Sequence, residues 1–330
     1  MAGGNNRRSQ ITQISNQFRW SKSRVSAFSD CRRKYYLRYY RHWGGWEAGA
    51  DDLARLAYRL GKMTSMAVLV GSSVHEVLAR HFRAVRNGIV REPDPEGPVR
   101  LMRTAWTNAR KELWRGSPKR YPPIFEIYYD RVPSPERLKE YAEKAREAIR
   151  TIRGLPIYGL VRGLDPADIL WVDPVGEGFS EEIIFEVPPY RAISAPDLVI
   201  REKGRVVIVD WKTGKESEAD RVQMAAAAVW AEEKLGDGGE EIEGALVYTE
   251  SGATRKIGLD REERERVKKI IRDDMAAMAA CLRDPEKNIP RGEECFPRRD
   301  NPGFCRYCEF QEICLGNREE GMGNGGTVNN

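Results

Sequence analysis

The chain has 330 residues, of which 41% are hydrophobic and 32% are charged, a balance typical of a folded globular protein. Its longest apolar stretches are too short to cross a bilayer and its polar start lacks the apolar centre of a secretory signal, so we expect a cytoplasmic protein without membrane contact. The net charge of +5 is small against 55 basic and 50 acidic residues, and by itself it identifies no partner.

The N-terminal half is predicted to be helical. A polar arm, Met1–Gln17, has the composition of a disordered segment. Helical patterns then cover about Ser26–His42, Lys62–Asn87, Pro98–Arg115 and Ser134–Gly154. Ser26 or Ser29 is expected to cap the first helix, and Ser134 the last, where Pro135 suits the first helical position. We expect residues from about 88 to 165 to form a helical insertion.

The segment Arg7–Arg41 is both basic and aromatic, which leaves two interpretations open. Its basic groups can bind phosphates while its rings stack on bases, or its rings can face the protein core. The basic residues are Arg19, Lys22, Arg24, Arg32, Arg33, Lys34, Arg38 and Arg41. The aromatic residues are Phe18, Trp20, Phe28, Tyr35, Tyr36, Tyr39 and Tyr40.

After Gly163 the pattern changes to short runs rich in β-branched residues. Strands are predicted at Ile183–Val187, Ala195–Arg201, Arg205–Trp211 and Ala245–Thr249. Helices are predicted at Asp220–Leu235 and Asp260–Arg283, and Asp260 and Glu263 resemble a capping box. A Gly/Asn-rich tail, Gly316–Asn330, is expected to be disordered. Strands and helices mixed in this way predict an α/β fold.

The second and third strands form a predicted hairpin with an unusual end. With Lys203-Gly204 as its turn, Asp197 faces Asp210. Opposed side chains on paired strands have Cβ atoms only about 4.5–5.5 Å apart, so two carboxylates there need a cation between them. Lys212 follows Asp210 by two residues and leaves the same face of the strand. A divalent metal ion is the obvious cation; the alternative is an ordinary surface salt bridge.

These residues resemble the PD-(D/E)XK nuclease motif. Pro196-Asp197 followed by Asp210-Trp211-Lys212 has its form, and the string VDWKTG is similar to the V-D-Y-K-T-G of the RecB-like branch. The resemblance implies a restriction-endonuclease-like fold, with a mixed central sheet flanked by helices.

Two further elements match that branch in order. Gly71-Ser-Ser-Val-His75 is similar to its upstream G-x-x-x-H element, and Gln223 begins a match to its Q-x-x-x-Y element. The match is imperfect, because Ala227 stands where the family has Tyr and Trp230 lies one turn further along.

The resemblance implies a metal-dependent mechanism. Asp197, Asp210, the carbonyl of Trp211 and the imidazole of His75 would hold Mg²⁺ or Mn²⁺, since hard ions prefer such ligands and a nitrogen ligand favours Mn²⁺. Lys212 would orient the nucleophile and offset charge on the transition state. Glu186, on the preceding strand, is a candidate for an additional carboxylate at the site.

Six cysteines in a cytoplasmic protein argue against a disulfide framework. Cys305, Cys308 and Cys314 have the spacing C-x2-C-x5-C, which suits a metal centre. By spacing alone the fourth ligand stays open between Cys295, Cys281 and Cys31, with Cys295 and zinc favoured.

The family resemblance favours an iron–sulfur cluster instead. A subset of RecB-like nucleases binds one through an N-terminal cysteine and a C-terminal trio, and the segments around Cys31 and around Cys305, Cys308 and Cys314 are similar to these. The resemblance therefore implies a [4Fe–4S] cluster on these four residues, with Zn²⁺ as the alternative, in a segment that joins the two ends of the chain.

We therefore expect an N-terminal helical segment (18–60), a nuclease core (61–260) and a C-terminal helix with the cysteine-rich segment (261–315).

The expected function is a DNA exonuclease on single-stranded or end-containing DNA, with exonuclease action implied by the resemblance alone. Two alternatives stay open: a nuclease subunit active only within a helicase or CRISPR-type integration complex, and a zinc-stabilised nucleic-acid-binding protein without catalysis. A protein partner in a repair, recombination or CRISPR complex, and a homo-oligomer, are also left open.

Overall fold

The computed structural model describes residues 17–89, 91–174, 181–236 and 241–316. The predicted arm and tail lie outside these residues, except for Gln17 and Gly316. None of the described helices combines the length and apolar character that crossing a bilayer requires.

Helices dominate the first half of the chain. They are α1 (Lys22–Asp30), α2 (Arg32–Tyr36), a π-helical turn (Leu37–Arg41), α3 (Asp52–Gly61), α4 (Met66–Arg86), α5 (Glu96–Arg110), α6 (Phe125–Tyr128), α7 (Pro135–Gly154) and α8 (Pro156–Arg162). Ser65 caps α4 and Ser134 caps α7, where Pro135 occupies the first turn as predicted. Short 3₁₀ turns lie at Leu113–Arg115 and Pro166–Asp168.

The second half contains the strands. They are β1 (Ile169–Val172), β2 (Ile184–Val187), β3 (Tyr190–Ile193), β4 (Leu198–Glu202), β5 (Arg205–Lys212), β6 (Glu241–Tyr248), β7 (Ala253–Gly258), β8 (Leu282–Asp284) and β9 (Ile289–Pro290). The helices are α9 (Glu218–Leu235), α10 (Arg261–Ala279), α11 (Pro302–Cys305) and α12 (Gln311–Leu315), with 3₁₀ turns at Glu181–Ile183 and Glu293–Cys295. Asp260 accepts from the backbone N–H of Glu263 and caps α10.

A five-stranded sheet with the order β1-β4-β5-β6-β7 forms the centre of the molecule. The β5–β6 pair is parallel and the other pairs are antiparallel, so the predicted mixed central sheet is confirmed. The crossover from β5 to β6 runs through α9. The predicted strand at Ile183–Val187 is present as β2, but it pairs with β3 in a separate two-stranded sheet.

The β4–β5 hairpin has the predicted register. Glu202 pairs with Arg205 and Ile200 with Val207, around a turn in which Lys203 and Gly204 both have positive φ (50° and 77°). Such a turn twists the two strands in the sense that antiparallel pairing favours. The interior of β5 is buried on both faces, as its continuous apolar run predicts.

Helices cover both faces of the sheet. On one face α4, α5, α7 and α8 pack around Leu78, Phe82, Ile149 and Trp211. On the other face α9 and α10 pack with the N-terminal aromatic residues and the β2–β3 sheet. The acidic end of β5 therefore lies between two apolar layers, which limit its access to water.

The N-terminal helix differs from the prediction. It begins at Lys22 with Ser21 as its cap, so the expected cap at Ser26 or Ser29 is wrong. Cys31 has extended backbone angles (φ −165°, ψ 121°) and separates α1 from α2. Four of the aromatic residues are buried in the core: Trp20, Phe28, Tyr35 and Tyr40. For these four, the interpretation that the rings face the core is confirmed.

Close packing between α9 and β6 generates a stability prediction. A Cβ added at Gly244 would lie 2.5 Å from Met224 Cγ, whereas one added at Gly258 would meet nothing within 4 Å. Gly244→Ala should destabilise the fold by about 1–3 kcal/mol, because the overpacked side chains must shift. Gly258→Ala is the matched control and should be near neutral. Denaturant unfolding measures both, and equal midpoints for the two variants would contradict the packing described.

Candidate active site

Asp197 lies immediately before β4 and is held by three contacts. Its Oδ2 accepts the backbone N–H of Trp211 at 2.8 Å, and its Oδ1 lies 2.8 Å from Nδ1 of His75. Its backbone carbonyl accepts the N–H of Asp173 at 3.0 Å. The hairpin register, continued one residue beyond Leu198 and Val209, places Asp197 opposite Asp210.

Asp210 is an almost fully enclosed carboxylate, with 6% of its surface exposed. Burial raises its pKa to about 6, and the negative charge of Asp197 adds to this effect. Its Oδ2 is buried and lies 2.7 Å from Lys212 Nζ, which is both its ion-pair partner and its hydrogen-bond donor. A buried oxygen of this kind suits a cation.

Lys212 lies within a cage of oxygen atoms. Its Nζ is 2.9 Å from Gln223 Oε1 and 3.4 Å from Asp220 Oδ1, in addition to the contact with Asp210. Burial alone would lower the pKa of Lys212, but the neighbouring carboxylates, Asp210 foremost, raise it above its usual value. The side chain is therefore an ammonium ion, suited to stabilise negative charge and unsuited to act as a general base.

Gln223, on the first turns of α9, joins the two catalytic candidates on β5. Its Oε1 accepts from Lys212, and its amide nitrogen lies 3.3 Å from Asp210 Oδ1. The later positions of the Q-x-x-x-Y match do not reach this cage. Ala227 is buried in the core, and the indole of Trp230 donates to the carbonyl of Glu182 at 2.7 Å.

His75 approaches from α4, on the far side of the hairpin from α9. Burial alone would lower its pKa, but the carboxylate of Asp197, by charge and by hydrogen bond, raises it to about 9. Gly71 lies one turn earlier on the same helix, where an added Cβ would come within 2.9 Å of Thr213 Oγ1. The small residue thus lets α4 approach the loop after β5 closely.

Four residues near the site have no signal in the motifs. Asp220 binds Lys22 Nζ at 2.9 Å and accepts from the hydroxyl of Tyr248 at 3.2 Å. Asp173 follows β1, and burial together with Asp197 raises its pKa to about 6. Of the four, Asp220 has a signal of another kind, because it belongs to the capping box of α9. Lys22, Tyr248 and Asp173 come to the site only through contacts between distant parts of the chain. Glu186 does not join them, since it pairs with Arg191 on its own hairpin.

The six cysteines are free thiols and fall into two groups. Cys31 Sγ accepts the backbone N–H of Arg299 at 3.4 Å, and Cys305 Sγ lies 3.6 Å from the carbonyl of the same residue. Burial raises the pKa of Cys314, and the nearby Cys31 raises it further.

Cys308 belongs to the same group. Burial, with the neighbouring Glu309 carboxylate, raises its pKa to about 12, and Cys314 contributes to the same shift. Cys281 and Cys295 form the second group, with Cys281 Sγ 3.9 Å from the carbonyl of Cys295.

Across residues 17–89, 91–174, 181–236 and 241–316, no three His, Cys, Asp or Glu side chains form a ready-made metal site. At the acidic end of the hairpin, His75 and Lys212 take the positions next to the carboxylates. At the cysteines, the thiols are neighbours without converging on one point.

The mixed sheet, its acidic hairpin and the lysine two residues beyond are features of a class of α/β nucleases. The sequence model of the PD-(D/E)XK nuclease superfamily matches residues 19–315, nearly the whole chain, so the chain belongs to that superfamily. Nucleases of this superfamily generally use Mg²⁺ or Mn²⁺. No curated protein sequence matches the chain.

The contact between His75 and Asp197 predicts an unusual titration in metal-free protein. The chain has three histidines, and burial lowers the pKa of His42 to about 4 and lowers that of His81 as well. The NMR signal of His75, assigned with His75→Gln, should titrate near 9. Because the folded pKa is raised above 6.5, the pair stabilises the fold fully below that pH, and this contribution is lost as pH rises through 9.

Asp197→Asn is the control for this titration, since it removes the charge and keeps the shape of the side chain. It should bring the pKa of His75 down. If all three histidines of the unchanged protein titrate at or below 6.5, the ion pair is not present in solution.

Proposed function

We propose that this protein is a metal-dependent DNA exonuclease that hydrolyses phosphodiester bonds in single-stranded or end-containing DNA. The observation that carries the proposal is the meeting of Asp197, Asp210, Lys212 and Gln223 at one end of the hairpin, with His75 bonded to Asp197. Membership of a nuclease superfamily supports the reaction class. The choice of exonuclease rests on the resemblance to RecB-like enzymes.

The carboxylates of Asp197 and Asp210, the carbonyl of Trp211 and the imidazole of His75 would hold the Mg²⁺ or Mn²⁺. The hard oxygen donors of the set fit such an ion, and the buried Oδ2 of Asp210 already faces a cation, the ammonium of Lys212. The bound ion would polarise the scissile phosphate and lower the pKa of a water molecule. Because His75 is a cation in the metal-free protein, it must release a proton to become a ligand.

The remaining residues act on charge and position. Lys212, as an ammonium ion, offsets negative charge that develops on the phosphate oxygens. Gln223 fixes Lys212 relative to Asp210, because its amide group contacts both. Asp220 adds a second negative neighbour to Lys212 and is itself tied to Lys22 and Tyr248.

Replacement of Lys212 tests this mechanism. Lys212→Met keeps most of the apolar stem and removes the charge, so cleavage of end-labelled single-stranded DNA with Mn²⁺ should slow by about 100- to 1000-fold. Lys203→Met is the matched control at the other end of the same hairpin, where the side chain is 82% exposed, and it should cleave at the wild-type rate. Wild-type cleavage by Lys212→Met or Asp210→Asn would contradict the mechanism.

The shape of the DNA tests the exonuclease assignment. Linear single strands should be degraded from an end, with mononucleotides or short products appearing first, while circular single strands should stay intact. Cleavage of circles would make the protein an endonuclease. Absence of any cleavage by metal-loaded chain would favour the alternative of a subunit that is active only within a larger complex.

We further propose that Cys31, Cys305, Cys308 and Cys314 hold a [4Fe–4S] cluster. The chemistry of the set supports it, because all four residues are soft thiol donors and two of them, Cys31 and Cys305, both contact the backbone of Arg299 although they lie at opposite ends of the chain. When bound, the cluster would cross-link the N-terminal helices to the C-terminal segment. A zinc ion on the same residues is the alternative.

Anaerobic purification tests the cluster. The brown protein should absorb visible light and contain about four iron atoms and about four acid-labile sulfides per chain. Cys31→Ala should lose the colour, whereas Cys281→Ala, which changes a cysteine of the other group, should keep it. A colourless chain that contains one zinc ion would establish the alternative and overturn the cluster.

A further inference from the structure

A group of aromatic side chains lies at the surface after the π-helical turn. Trp43 and Trp46 pack edge to face with ring centroids 4.9 Å apart, and Trp46 lies 5.4 Å from Tyr58. His42 stacks on Tyr58 at 6.2 Å with an interplanar angle of 12°. Trp46 is 42% exposed, which is unusual for a residue of its size. We call His42, Trp43, Trp46 and Tyr58 the Trp46 cluster.

The backbone holds the Trp46 cluster in place. Gly44 has φ +74°, a conformation that L side chains rarely adopt, and a Cβ added at Gly45 would lie 2.3 Å from the carbonyl oxygen of Ala54. The loop is thus pressed against α3. Asp51 caps that helix and pairs with Arg41 on the π-helical turn. The packing of this loop against α3 therefore fixes the position of the exposed indole of Trp46.

Basic residues lie on one side of the Trp46 cluster. Lys62 Nζ lies 5.1 Å from the ring centroid of Tyr58, and neither Lys62 nor Lys119 forms an ion pair with any described residue. Burial lowers the pKa of Lys62, and the nearby charges of Lys119 and Arg38 lower it further. Arg38 shares its partner, Glu309, with Lys34. Lys62 and Lys119 thus carry positive charge that no described carboxylate pairs with, and such charge favours a polyanion.

A cavity of about 750 Å³ lies between Arg38 and the start of α4. Arg38 lines it together with Ser65, Val68, Tyr141 and Tyr307. Val68 is 60% exposed and Tyr307 is 66% exposed. Ser65 caps α4, and His75 lies ten residues further along that helix, about 15 Å away at 1.5 Å per residue. The cavity therefore reaches from Arg38 to the first turn of α4, the helix that carries His75.

We propose that the Trp46 cluster, with Lys62, Lys119 and Arg38, is a second contact site for single-stranded nucleic acid, at a distance from the scissile bond. An unpaired base stacks on Trp46, and the adjoining phosphates bind the cations. The course of the nucleic acid along α4 towards the acidic site rests on the proposed function. A single strand is chosen over a duplex because a base must leave its stack before it can lie on an exposed ring.

Equilibrium binding in metal-free buffer tests the site without any cleavage. For a labelled single strand of about 20 nucleotides, Trp46→Ala should weaken affinity by about fivefold to 100-fold, the loss of one base–ring contact. Trp46→Phe keeps an aromatic face and should restore most of that loss. Retained affinity in Trp46→Ala, with wild-type circular dichroism, would overturn the stacking contact.

The salt dependence of binding tests the cations. In the double variant Lys62→Gln/Lys119→Gln, the slope of log Kobs against log salt concentration should become shallower by about 1.4, because two phosphate contacts are lost. Lys269→Gln/Lys287→Gln is the control, since these lysines are 74% and 76% exposed and each has a carboxylate partner within its own segment. Equal slopes in the two double variants would overturn the phosphate contacts.

Two additional measurements separate this inference from the proposed function. Duplex DNA of the same length should bind more weakly and without dependence on Trp46; equal dependence would overturn the assignment to single strands. Hydrolysis of bis(p-nitrophenyl) phosphate by the unchanged protein with Mn²⁺ reports on the acidic site alone. Its absence would count against the proposed nuclease while the binding results still decide the second contact site.

Discussion

Two carboxylates forced together at the end of a buried hairpin are the constraint on which the site depends. Asp197 and Asp210 repel each other, and burial makes that repulsion costly because little water screens it. The protein compensates with a cation from each side: His75 from α4 and Lys212 from β5 itself. The helices on the two faces of the sheet are therefore tied to one electrostatic centre, and a divalent ion would compete for the same oxygen atoms.

The compensation extends into the N-terminal segment. Lys22, at the start of α1, reaches Asp220 and Gln223 on α9, so the first helix of the chain is attached to the cage around Lys212. Removal of either charge of a buried pair leaves the other uncompensated, which is why such networks fix geometry even when their net contribution to stability is small. The same N-terminal segment carries Cys31 and leads to Trp46. The N-terminal segment thus contributes to the proposed active site, to the proposed iron–sulfur cluster and to the proposed contact with single-stranded nucleic acid.

The hairpin could be predicted because its information is local. Lys203-Gly204 specifies the turn, and the two-residue period of a strand then fixes which side chains face each other. The pairing of Lys22 with Asp220 joins residues 198 positions apart and leaves no local pattern. Strand β1 is likewise not predicted, because its pairing with β4 joins Ile169 to Ile200, 31 positions away. The break at Cys31 was missed because helical periodicity continues through it, while the backbone there is extended.

The central claim is that Asp197 and Asp210 hold a divalent ion together. Crystals soaked in Mn²⁺, with diffraction collected at the manganese absorption edge, test it most directly. We expect one strong anomalous peak in contact with both carboxylates and with the imidazole of His75. A peak that is absent or elsewhere, with Asp197 still bonded to His75 and Asp210 to Lys212, would contradict it.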